Sequence, residues 1–249
     1  MANPRTNTTS YEHPQETNLL NVHKAMQYNN SGEPVLRTHV DGISLEGNLP
    51  PSLEEIYLDK CELKKIPEQL TTLTLLRVLA LNYNPYIDLN IHCLPYEMVD
   101  GKQQFTLEEL HLRECKLSTI PHSLACLERL AVLNLKYNFG ITIPDKSLPS
   151  SLLEVGLQFC NLMEIPNAVR ELKDLRVLNL EGNMDISLVH AIIPPCLERL
   201  NLRFCNLYTI PQWVKNLTVL KDLQLGGNFD LIEPGWFEEF ERIHRVNVN

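Results

Sequence analysis

The 249-residue sequence predicts an α/β fold of the solenoid type: a curved stack with a parallel β-sheet on its concave side and short turns or 3₁₀ segments on its convex side. Three observations predict it. First, one phrase returns every 45 residues: LEELHLRECKLSTIP from Leu107, LLEVGLQFCNLMEIP from Leu152 and LERLNLRFCNLYTIP from Leu197. Between its copies lies a second phrase, LAVLNLKYN from Leu130, LRVLNLEGN from Leu175 and LKDLQLGGN from Leu220. Second, residues 4 and 6 of each unit, counted from the opening leucine, are apolar and alternate with mostly polar residues, the period of a strand with one buried face. Third, position 15 is Pro67, Pro121, Pro144, Pro166, Pro211 or Pro234, which cannot extend a ladder and turns the chain away.

Within a unit, positions 1, 4, 6, 9, 11 and 14 are apolar, Cys or Asn. In one repeat these are Leu107, Leu110, Leu112, Cys115, Leu117 and Ile120. Position 9 alternates between Cys61, Cys115, Cys160 and Cys205 and, in the intervening units, Asn84, Asn138, Asn183 and Asn228. An inward amide there can bond backbone groups that the sheet leaves unpaired, so these asparagines read as structural rungs. The return leg carries a few further leucines, such as Leu124 and Leu127. No unit buries its apolar face alone; stacking does so and pairs successive strands in parallel.

The chain divides into a disordered tail (1–13), an N-terminal capping segment (14–39) and a solenoid of about eight full repeats with partial terminal ones (40–249). In the cap, Leu19, Leu20, Val22, Ala25 and Met26 predict a short helix after Thr17, ended by Asn29-Asn30-Ser31-Gly32. Val40, Ile43, Leu45 and Asn48 then start a unit whose return leg is missing before Leu53. Residues 96–106, YEMVDGKQQFT, stretch one pair of repeats from 45 to 54 residues, an insertion expected to form a surface loop. Near the C-terminus Pro234-Gly235-Trp236-Phe237-Glu238-Glu239-Phe240 is expected to form a short helix whose aromatics cover the last core. The phrase IHRVNVN after it opens a further unit. Its strand edge suggests a monomer, or a weak dimer through that edge.

Composition narrows the function classes. The formal net charge is −9, unsuited to general binding of phosphate backbones, so no nucleic-acid partner is expected. Residues 1–18 contain no apolar stretch of a secretory signal, and no later segment is long enough to span a bilayer; the expected location is cytoplasmic, with no membrane insertion. The Asn216-Leu217-Thr218 sequon is then expected to stay bare. Seven cysteines invite disulfides, yet equivalent slots two units apart are roughly 9–10 Å apart at the strand spacing. That exceeds the roughly 7 Å a disulfide tolerates between Cα atoms, and reduced thiols are expected. The phosphate-loop and dinucleotide glycine patterns and zinc-type spacings are not found, so no cofactor, metal site or catalytic residue is expected.

The pattern L-x-x-L-x-L-x-x-N/C-x-L, running over about residues 40–249, resembles the leucine-rich-repeat family. The short Ile-Pro units are similar to its intracellular class of Ras-pathway scaffolds and related plant proteins. The junctions LPPSL (49–53) and LPSSL (148–152) are also similar to those of bacterial leucine-rich-repeat effectors. The resemblance implies a right-handed horseshoe and a non-enzymatic scaffold or adaptor that binds a protein through its concave face. Two other readings stay open: an effector secreted without a classical signal peptide that binds a host protein, and a regulator or enzyme using the inserted loop near His111.

On the concave side, position 8 reads Lys60, Tyr83, Glu114, Tyr137, Phe159, Gly182, Phe204 and Gly227. Four aromatics on one stripe exceed what solubility selects, and aromatics concentrate at interface hot spots. The residues expected to bind the partner are Tyr57, Tyr83, Arg113, Lys136, Tyr137, Phe159, Arg203 and Phe204. Charge along the face is graded, with Glu55, Asp59, Glu109 and Glu114 early and Arg199, Arg203 and Arg245 late, Asp222 running against the trend.

Overall fold

The opening leucines set the architecture. Leu53, Leu76, Leu107, Leu130, Leu152, Leu175 and Leu197 are fully buried, and Leu220 nearly so. The computed structural model describes residues 18–19, 26–28, 32–38, 43–45, 49–244 and 247–248. Among these the main sheet has eleven strands. From one edge they run Met26–Tyr28, Pro34–Arg37, Glu55–Tyr57, Val78–Ala80, Glu109–His111, Val132–Asn134, Glu154–Gly156, Val177–Asn179, Arg199–Asn201, Asp222–Gln224 and Asn247–Val248. Every pairing is parallel except the first, a hairpin pairing of Met26–Tyr28 with Pro34–Arg37. Register aligns position 4 throughout, as in Ile56↔Leu79↔Leu110↔Leu133↔Val155. These side chains form a single continuous core.

The return legs follow the prolines. Pro67, Pro121 and Pro211 directly precede 3₁₀ segments at Glu68–Thr72, His122–Cys126 and Gln212–Asn216. Pro166 precedes a one-turn α-helix, Asn167–Arg170. Proline suits that entry because its fixed φ and missing N–H cost nothing there. The expected C-terminal helix is Phe237–His244, and Phe237 and Phe240 are buried on the last core. The final strand Asn247–Val248 pairs with Asp222–Gln224; Arg245 lies outside the described residues.

Between units the asparagine rungs carry the polar load. Asn138 Oδ1 accepts from Cys115 N at 3.1 Å and Leu117 N at 3.0 Å. Its Nδ2 donates to Leu112 O and Leu135 O, both at 2.8 Å. Asn84, Asn183 and Asn228 make the same four bonds to their own units and the preceding ones. A cysteine at this slot does less. The thiols of Cys115, Cys160 and Cys205 donate to Leu81 O, Leu135 O and Leu180 O at 3.1, 3.3 and 3.2 Å. All seven cysteines are free; Cys126 and Cys196 are exposed and the rest buried.

Four expectations change. Position 11 is buried only in Cys-type units. In Asn-type units the buried residue is one further on, at Ile87, Ile141 and Ile186. The solenoid begins before residue 40: Pro34–Arg37 is the strand beside Glu55–Tyr57, with Leu36 at position 4 and buried Thr38 at position 6. Ile43–Ser44 instead pairs with Asn18–Leu19 in a separate two-stranded sheet. Where the capping helix was expected, Asn18–Leu19 and Met26–Tyr28 are strands; residues 20–25 and the tail 1–13 lie outside the described residues. Met26–Tyr28 pairs antiparallel with Pro34–Leu36, and Asn29, Asn30 and Ser31 lie outside the described residues. Last, the insertion is not an irregular loop. It is a β-hairpin, Tyr96–Val99 with Lys102–Phe105. Asp100 and Gly101 at its tip have φ of 50° and 75°, the two-residue turn that an Asp-Gly pair favours. Phe105 anchors the hairpin in the core, and Leu79 still registers with Leu110 across the insertion.

Two outcomes follow from these rungs. Asn138→Ala leaves two buried N–H groups and two carbonyls without that partner and is expected to cost about 3 kcal/mol or more. Cys160→Ala is expected to cost less than half of that, with urea midpoints of the two variants as the check. The second outcome concerns alkali. Burial pushes the Cys115, Cys160 and Cys205 thiols from 9.0 up to about 11. Their folded pKa values lie above the unfolded ones, so this stability is complete below pH 9 and is lost as pH rises toward 11. Denaturation against pH should show that fall, and a triple cysteine-to-alanine variant should flatten it.

Candidate functional site

The sheet ends at position 8, and this builds the rim of the concave face. The backbone N–H there makes the last ladder bond, as in Tyr83 N to Arg113 O at 2.8 Å and Tyr137 N to Gln158 O at 2.9 Å. The chain then turns inward through a left-handed residue. All eight position-8 residues have positive φ, from 52° at Phe204 to 78° at Gly227. Glycine is the cheapest occupant of such a slot; other residues cost roughly 1–2 kcal/mol. Tyr83, Tyr137, Phe159 and Phe204 occupy it nonetheless.

Each ring leans toward the next unit. Tyr137 and Phe159 stack with centroids 4.8 Å apart at an interplanar angle of 13°. Phe159 lies over Gly182, where an added Cβ would meet its ring at 2.3 Å, and Phe204 lies over Gly227 at the same separation. All four aromatics are half-buried. They therefore pack sideways and still present a face.

Cations sit on these rings. Lys60 Nζ lies 4.9 Å from the Tyr83 centroid, and the Arg113 guanidinium bridges Tyr83 at 5.2 Å and Tyr137 at 5.0 Å. Lys136 spans Tyr137 at 5.1 Å and Phe159 at 5.6 Å. Of the residues expected to bind a partner, the structure thus joins Tyr83, Arg113, Lys136, Tyr137 and Phe159 into one ladder. Arg203 over Phe204, at 5.7 Å, forms a second group beyond Gly182. Tyr57 is apart from both, on the sheet floor at position 5. Its hydroxyl donates to Glu55 Oε2 at 2.9 Å, and Arg37 covers its ring at 4.2 Å. Burial first, then the bond to Glu55, pushes its phenol above the usual value.

Sequence reasoning missed three members. Lys60 was visible as a base at position 8 one unit before an aromatic there. Arg37 was hidden by the misplaced first strand. Phe139, 69% exposed, tilts against Tyr137 at 6.1 Å and extends the ladder outward; its signal was the apolar slot after each Asn rung, filled also by Met184 and Phe229.

The early carboxylates are engaged locally. Glu109 Oε2 meets His111 Nε2 at 3.2 Å, and Asp59 Oδ1 accepts from Asn82 N and Nδ2 at 2.9 Å. Late on the face, Arg199 reaches Glu154 across 3.9 Å. His111 looks onto the concave surface, whereas Cys115 is buried as a thiol four residues on. The hairpin 96–105 precedes position 1 and so enters at the opposite end of the strands from the position-8 rim; Glu97 pairs there with Arg129 at 3.7 Å. A cleft of about 640 Å³ on the convex side is lined by Val189, Tyr208, Pro211, Pro234 and Trp236. Among the described residues no group of three or more His, Cys, Asp or Glu side chains is placed to hold a metal ion. No helix among them is long and apolar enough to cross a membrane.

Gly227→Ala tests the close approach of ring and backbone. The added methyl must displace Phe204, and the variant is expected to lose about 1–3 kcal/mol. Gly227→Ala combined with Phe204→Ala should recover part of this in a double-mutant cycle read by urea unfolding.

Residues 106–127 and 196–217 match the Leucine Rich Repeat family. Among solved structures, a leucine-rich-repeat protein of Leptospira interrogans is 23% identical, with a TM-score of 0.43 over 80% of this chain and 43% of that one. The chain therefore spans less than half the length of that protein. The leucine-rich-repeat domain of the type III effector XopL is 21% identical, with a TM-score of 0.46 over 84% of this chain and 67% of that one. Two units match the family directly, and the same leucine framework, Cys and Asn rungs and parallel ladder recur in the units between and around them.

Proposed function

We propose that this protein is a non-enzymatic binding module, a scaffold or adaptor whose concave rim captures another protein. The observation that carries this reading is the ladder Tyr83–Arg113–Tyr137–Lys136–Phe159. Its aromatics stand where the backbone favours glycine. The local cost is roughly 1–2 kcal/mol for each. Ring stacking returns about 0.5–1.5 kcal/mol where a second ring is in reach. Stability alone therefore gives little reason for rings at this slot, whereas an interface does, because rings bury large area at small entropic cost. The seven free thiols suit a reducing compartment, consistent with a cytoplasmic role.

The test is affinity capture with the wild type and with a variant carrying Tyr83→Ala, Tyr137→Ala, Phe159→Ala and Phe204→Ala. Both proteins must first show cooperative unfolding. A partner held by the wild type and absent from the variant is the expected result, and single substitutions at true hot spots should each cost about 2 kcal/mol or more of binding. Identical partners from both proteins would make the stripe a packing feature and remove this reading.

A further inference from the structure

The described arginines fall into two groups. Arg77, Arg129, Arg170, Arg176, Arg199 and Arg242 each have a carboxylate within ion-pair distance. Arg37, Arg113 and Arg203 have none among the described residues, and each lies over an aromatic ring of the concave side instead. Lys60 and Lys136 share that arrangement. In a chain of net charge −9, carboxylates are plentiful, yet among the described residues these cations pair with none. Rings hold the guanidinium and ammonium groups in place while leaving their outer N–H donors open. The neighbouring carboxylates do not neutralise them: Asp59 is taken by Asn82, Glu181 accepts from Asn201 at 3.3 Å, and exposed Glu114 makes no ion pair with Arg113.

We infer that the rim recognises an acidic, extended polypeptide segment whose carboxylates pair with Arg113 and Lys136, with Arg203 taking a further acid. The inference rests on the concave-rim reading above and names the chemistry of its partner. Arg113 and Lys136 occupy position 7 of adjacent units, roughly 4.8 Å apart along the stack, within reach of acids on neighbouring residues of a chain laid across the strands. Arg203 stands three units beyond Lys136, roughly 14 Å, which an extended chain covers in roughly four residues. Tyr137 and Phe159 would lie under the segment's apolar side chains. Glu114, Asp59 and Glu181 interrupt the row, which a chain of discrete acids can skip. A continuous phosphate backbone cannot, and this favours polypeptide over nucleic acid.

Selection of displayed random dodecapeptides against the full chain tests this, followed by affinity measurement with the synthetic winners. The expected consensus is rich in Asp and Glu. Its binding should weaken with salt and fall about tenfold or more in Arg113→Gln/Lys136→Gln, a variant checked for an unchanged urea midpoint. A neutral or basic consensus that is lost in Tyr137→Ala would overturn the acidic partner and leave the concave-rim reading standing. Peptides indifferent to both variants would overturn both. Failure to select any peptide would count against the acidic segment, as would a thymidine dodecamer whose binding is lost in Arg113→Gln/Lys136→Gln, which would point to single-stranded nucleic acid instead.

Discussion

The asparagine amide that bridges successive units is the interaction on which the rest of this structure depends. After each short strand the backbone must turn into the core, and there its N–H and C=O groups have no next-strand partner. Asn138 answers two donors of the preceding unit and two carbonyls, one on each side of the junction. Leucine packing could tolerate several relative positions of two units; four directional bonds tolerate one. The alternating cysteine supplies a single weak donor, so the stack is built of two-unit blocks joined by lighter seams. The 45-residue period is therefore a chemical one, since a 22- or 23-residue unit repeats in shape while its rung repeats only every second time.

The same inward turn creates the candidate binding rim. Because the chain must enter the core immediately after the last ladder bond, position 8 takes a left-handed conformation and its side chain is thrown onto the edge of the concave face. Glycines at positions 182 and 227 leave room for the rings of the preceding unit. Where no glycine follows, rings and cations stack on each other instead. One backbone demand thus sets both the stability of the junction and the display of Tyr83, Tyr137, Phe159 and Phe204. Their surroundings are asymmetric: acids early on the face are bonded to neighbours within the sheet, and the cations over the rings are not.

Irregular features sit where the framework can absorb them. The hairpin 96–105 leaves and re-enters between Pro95 and Thr106, and Thr106 Oγ1 donates to Leu76 O at 3.1 Å, so the strand after it keeps its register. The Asp100-Gly101 pair carried a turn signal, but the flanking YEMV and KQQF lack the strict alternation that marks a half-buried strand. At the N-terminal end the unit's usual leucines are replaced by Glu33 and Thr38, which concealed the first parallel strand of the main sheet, while Ile43–Ser44 belongs to the separate pairing with Asn18–Leu19.

The sequence by itself determined the repeat, the parallel sheet, the inward rungs, the proline-initiated return legs and the stripe to which the aromatics belong. Each of these is a short-range pattern repeated many times, so a single ambiguous residue cannot obscure it. Only the tertiary structure decided which unit comes first, that Asn-type units bury position 12, and that Arg113 and Lys136 join Tyr83, Tyr137 and Phe159 in one ladder while Tyr57 stands apart. Those contacts lie across units 22 or more residues apart, and their geometry follows from the left-handed turn at position 8, a backbone state that no residue type other than glycine announces in advance.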